Sequence, residues 1–83
     1  MALQAEIHAR LMTLGPQMLE VINESHKHAG HAGDDGSGES HWRVVIKAAM
    51  LDDMSRIARH RAIHNAIGPD LMARIHALEI DLR

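Results

Sequence analysis

The sequence runs to 83 residues with a formal charge of −2 at pH 7; it has no Cys, Phe or Tyr and a single Trp. One domain over residues 1–83 is expected, with a core built from Leu, Ile, Val, Ala and the 6 Met. No disulfide or thiolate chemistry is available, Trp42 is the only base-stacking platform, and the acidic balance argues against a basic nucleic-acid clamp. The 8 His are the compositional signal: protonating all of them would carry the formal charge from −2 to +6, at a reference pKa of about 6.5.

Residues 2–14 carry Leu3, Ile7, Leu11 and Leu14 at helical spacing, and Gly15-Pro16 ends that helix. Met18 to about Ser25 is apolar, short and bounded by a breaker, which predicts a strand. Residues 26–40 hold Gly30, Gly33, Gly36 and Gly38 without hydrophobic period, a loop. Alternation predicts a second strand from His41 to Lys47, with Trp42, Val44 and Ile46 on one face.

Asp52 or Asp53 is the expected cap of a second helix running to about Ile67, with Ile57, His60, Ile63 and Ile67 as its core stripe. Gly68-Pro69 repeats the earlier stop, and Pro69–Met72 fits one helical turn. Arg74 to Leu82 completes the set as a third strand, with His76, Leu78, Ile80 and Leu82 on one parity.

The fold class is thus α+β: a two-layer sandwich of order αββα(α)β, with helices on one face of a three-stranded mixed sheet. A hairpin joins the first two strands, and a right-handed helical crossover makes the second and third parallel. This topology brings His26, His28, His31, His41 and His76 to one end of the sheet.

Neutral imidazole is a common metal ligand, so His26, His28 and His31 form either a ligand group or a set of solvated loop histidines. His76 reads either as a rigid ligand at a strand end or as a partly buried histidine with a hydrogen-bond partner. His60 is expected to orient internal groups. Arg56, Arg59 and Arg61, with neighbouring Lys47, offer phosphate contacts or simply a solvated basic face. Gly30-His31-Ala32-Gly33 has the G-x-x-G form but lies between strands, and Asp34-Asp35-Gly36 lacks calcium-loop spacing. No hydrolytic triad, P-loop or dinucleotide-binding pattern occurs, so no enzymatic activity is expected. The longest apolar run is too short for a membrane span, and Met1–Glu6 has neither the basic nor the apolar region of a secretory signal, so a cytoplasmic protein is expected.

Four segments in register resemble the BolA family: Val21–His28, Gly38–Val45, Arg59–His64 and Ile75–Leu78. The resemblance spans essentially the whole chain and implies a class II KH-like fold. It implies pairing with a monothiol glutaredoxin and glutathione, with a [2Fe–2S] cluster shared between the two proteins and not intrinsic to this chain. The matching ligand positions are His76 and His28, with His31 as an alternative loop ligand. It also implies, for some members, DNA-binding regulation of stress response and cell morphology, for which Arg56, Arg59, Arg61 and Lys47 are the candidate contacts. The chain is expected to be a monomer on its own. Two departures from the family pattern stand out: the loop after His28 is expanded through Asp34–Gly38, and Leu51-Asp52-Asp53 replaces the usual Phe-x-Gly.

Overall fold

The computed structural model describes residues 3–25 and 41–83. Helix α1 spans Leu3–Leu11 and continues as a tighter turn over Met12–Leu14. Leu3, Ile7 and Leu11 are all buried, so the four-residue spacing marks the core stripe. Gly15 ends it in the left-handed region (φ 63°, ψ 45°), where its amide donates to Met12.

Strand β1 is Met18–Asn23, β2 is His41–Lys47 and β3 is Ala77–Leu82. Sheet order is β1-β2-β3, with β1 antiparallel and β3 parallel to the central strand. Trp42, Val44 and Ile46 face the helices and join Leu3, Ile7, Leu11, Ile63, Ile67 and Leu71 in one core. The expected two-layer α+β architecture is therefore present. The opposite face of β2 is not fully open, however: Val45 is also buried.

Strand β1 stops short of Ser25 because the chain turns there. The Ser25 amide donates to Asn23 Oδ1, and Ser25 Oγ accepts from the His41 amide.

The second helical region differs from expectation at its start. Ala49–Asp52 forms a separate one-turn helix, α2, and α3 runs from Arg56 to Ile67. The cap is Ser55, not Asp52 or Asp53: its hydroxyl accepts from the Ala58 amide at 3.1 Å. Arg59 fixes the corner between the two helices, its Nε donating to the Met54 carbonyl at 3.0 Å and its Nη2 to the Asp52 carbonyl at 2.8 Å.

Ile57 is also misplaced in the expected stripe, being 66% exposed, while Ile63 and Ile67 are buried. Each three-residue step drifts about 60° around a helix, so Ile57 lies roughly 120° from Ile63. Helix α4, Pro69–Met72, forms as expected with Pro at its start.

Strand β3 begins at Ala77 and not at Arg74. The amides of Arg74 and Ile75 donate back to Leu71 and Met72, and Ile75 is buried in the core. These turn bonds keep the chain curled until Ala77 pairs opposite His41. His76 therefore occupies the bend before the strand.

Arg10 ties α1 to the α3–α4 junction. Its Nη1 donates to the Ile67 carbonyl at 2.7 Å, and its guanidinium grips Asp70 through two bonds of 2.8 and 2.9 Å. The Arg10 hydrogen bond is the main reason the Asp70 carboxyl titrates at about 2, well below its ordinary 3.8.

Candidate functional site

The sheet register puts two histidines at the same end. His41 opens β2 opposite Ala77, and His76 immediately precedes Ala77. Their rings lie 5.3 Å apart between centroids, tilted by 53°. His41 is only 8% exposed, and its backbone is fixed on both sides: its amide donates to Ser25 Oγ, and its carbonyl accepts from the Glu24 amide. His76 is exposed. The pair thus consists of a buried imidazole supporting an accessible one. A cavity of about 250 Å³ lies beside them, lined by Glu24, His41, Trp42, Ala77, Leu78 and Glu79.

His26, His28 and His31 lie outside the described residues. Among the described residues no group of three or more His, Asp or Glu side chains could by itself hold a metal ion. The chain offers no thiolate, and the exposed imidazole of His76 is an accessible donor at this end of the sheet.

The candidate basic residues divide into two groups. Lys47, Arg56 and Arg61 are exposed. Arg59 is committed to the backbone carbonyls of the α2–α3 corner, a structural role the sequence did not suggest. Arg56 and Arg59 also line a cleft of about 530 Å³ between the start of α3 and β3, together with Arg43, His60, Glu79, Ile80, Asp81 and Leu82.

The sequence predicts that His60 orients an internal group, but its Nε2 is buried without a hydrogen-bond partner among the described residues. Arg43 was not singled out from the sequence either. It sits on the face of β2 away from the helices, donates to Asp81 at 2.8 Å and lies 3.5 Å from Glu79. The signal for it was available, because alternation puts Arg43 opposite to Trp42 and the parallel crossover brings two acids of β3 beside it.

A family model described as "BolA-like protein" matches residues 11–83. The chain belongs to the BolA-like protein family. It is 49% identical over 83 residues to an "Uncharacterized protein in cobS 5'region" of Sinorhizobium sp, covering 98% of this chain and 89% of that one. It is 40% identical over 81 residues to BolA-like protein 1 of Mus musculus; the match takes in 96% of this chain but spans only 56% of the mouse protein. Among solved structures, BolA1 from Arabidopsis thaliana superposes with a TM-score of 0.79 at 30% identity, covering 96% of this chain and 88% of that one. The BolA fold expected from the resemblance is therefore shown. No helix among the described residues is long and apolar enough to cross a membrane.

Proposed function

We propose that this BolA-like protein is an adaptor that pairs with a monothiol glutaredoxin and shares a [2Fe–2S] cluster with it through histidine, in iron–sulfur trafficking or iron and redox sensing. The observation that carries this reading is the His41–His76 pair: an exposed imidazole held against a buried one at the sheet end where β1 leaves and β2 and β3 begin. His28, or His31 in its place, supplies the second ligand in this reading. The chain has no Cys, so the partner and glutathione provide the sulfur ligands. Imidazole ligands are neutral and can be protonated off iron, which suits a cluster that is handed over or sensed.

The test is co-expression with a monothiol glutaredoxin in the presence of glutathione, followed by anaerobic size exclusion with visible absorption. A coloured complex eluting ahead of either protein alone is expected. A colourless mixture whose components elute separately would overturn the proposal.

A second reading, DNA-binding regulation, draws on the family resemblance and on Arg56 and Arg61, exposed on α3 without a hydrogen-bond or ion-pair partner among the described residues. In that reading they contact phosphates together with Lys47, while Arg59 holds the helix corner. Arg61→Glu combined with Lys47→Glu should then abolish salt-dependent DNA retention in a gel-shift assay. Unchanged retention would remove this surface as the site.

A further inference from the structure

Two buried side-chain nitrogens among the described residues have no hydrogen-bond partner, Arg43 Nε and His60 Nε2. Both line the same cleft, the one between the first turns of α3 and the outer strand β3. Buried polar atoms in folded proteins are nearly always paired; Arg43 Nε has Glu79 Oε2 at 3.5 Å as an ion-pair partner, so His60 Nε2 is the one that points to something binding in the cleft.

Their chemistry states what that is. Arg43 Nε carries a hydrogen and can only donate, and His60 Nε2 can donate in the appropriate tautomer. The remaining charged groups agree. Arg56 stands at the cleft with no ion-pair or hydrogen-bond partner among the described residues. Arg59 spends its Nε and Nη2 on carbonyls, so its Nη1 is left for another acceptor. Glu79 and Asp81 also line the cleft; they share the one guanidinium of Arg43, and Arg83 adds a second cation to Asp81 at 3.2 Å.

The first turn of α3 adds to this. It contains no acidic residue, although a carboxylate there would complement the positive end of the helix. Arg56 and Arg59 stack further positive charge on that end instead. This is locally unfavourable for the helix, and such departures from local preference concentrate at functional positions.

We propose that this cleft is a binding site for a small oxyanion, a phosphate or carboxylate group carried on a small molecule, held by Arg56, Arg59 and His60 at the start of α3. Ile80 and Leu82 form its apolar wall. Such a ligand brings anionic acceptor oxygens to His60 Nε2 and to the Arg56 guanidinium. The flanking acids restrict the site to a compact anion and disfavour an extended polyanion. The site is separate from the His41–His76 pair and does not depend on cluster sharing.

The experiment is a titration of the whole isotopically labelled protein with inorganic phosphate, and separately with acetate, at ionic strength held constant with sodium chloride. The His60 imidazole and the Arg56 and Arg59 Nε–H resonances are followed by NMR. A saturable shift confined to these groups is expected; saturation by phosphate alone identifies a phosphate ligand, and saturation by acetate a carboxylate. Arg56→Ala and His60→Leu should each weaken binding about tenfold, the size of one lost charge-assisted hydrogen bond. Arg74→Ala, which removes an exposed cation that does not line the cleft, should leave it unchanged. Should His60→Leu not fold, Arg56→Ala decides, because Arg56 is exposed. A linear, non-saturating response to both anions would overturn the proposal, as would equal weakening by Arg74→Ala.

Discussion

Gly68→Ala is expected to lower the melting temperature by roughly 10 °C. Gly68 has φ 91° and ψ 152°, a region open essentially to glycine alone; forcing another residue there costs about 1–3 kcal/mol. In a domain of this size each kcal/mol moves the melting temperature by roughly 4–8 °C. Steric overlap adds to the strain. A Cβ at Gly68 would sit 2.7 Å from Arg10 Nη1 and 2.9 Å from Asp70 Oδ1. The guanidinium would have to withdraw, releasing both Asp70 and the Ile67 carbonyl at the end of α3.

The two contributions separate by pH. Asp70 titrates at about 2 in the folded chain against 3.8 ordinarily. Its folded value is depressed, so the stabilisation it brings is fully present above about pH 3.8 and is lost as pH falls through about 2. Arg10→Met removes the largest part of that acid dependence, leaving the share due to the backbone amides of Asp70 and Leu71, and does not touch the backbone. Since both partners are solvent-exposed, its effect at pH 7 should be the smaller one. Gly15→Ala is the backbone control: its φ is 63° with nothing within 4 Å of the added Cβ, so only the left-handed penalty of roughly 1–2 kcal/mol applies. Thermal unfolding followed by circular dichroism at pH 7 and pH 3 measures all three. A Gly68→Ala protein as stable as the parent would show that the junction relaxes without resistance.

The architecture was legible because it rests on periods and breakers. Leu3, Ile7 and Leu11 fix the buried face of α1, alternation from Trp42 to Ile46 fixes β2, and the two Gly-Pro steps fix the stops. What failed to show was set by competition between neighbouring groups. Asp52, Asp53 and Ser55 are all good caps, and the sequence does not say which hydroxyl or carboxylate reaches an amide. The structure gives the cap to Ser55, since Met54 and Leu51 are drawn inward and Arg59 folds back over the carbonyls before it. Likewise, Arg74–His76 has strand-like alternation, yet the turn bonds from α4 claim its amides first. At the candidate site, the meeting of His41 and His76 followed from topology alone. The cleft around His60 did not, because it requires the depth at which one imidazole nitrogen is buried, and helical spacing gives direction without depth.

His76→Ala should abolish cluster sharing with a monothiol glutaredoxin, whereas His28→Ala should only weaken it or alter its spectrum. The asymmetry follows from what surrounds each residue. Ala77, next in the chain, is fixed opposite His41 by the parallel ladder, and the His76 ring rests at 5.3 Å from the His41 ring. The ordering of His76 is thus already met by the fold, which is what a ligand gains from rigid support. The nearest imidazole to replace it is that of His41. But His41 is 8% exposed, with its backbone bonded to Ser25 and Glu24, and turning its ring outward would give up the burial it has at the start of β2. His28 has His26 and His31 close by in sequence, and either can take its coordination position at a modest entropic cost. His76→Ala should remain folded, since His76 is exposed and surface truncations usually change stability by less than about 0.5 kcal/mol. Visible circular dichroism of the glutaredoxin–glutathione complex, recorded beside far-ultraviolet spectra of each free variant, makes the comparison. Equal and complete loss from both variants would contradict replacement within the loop, and a normal signal from His76→Ala would remove His76 from the ligand set.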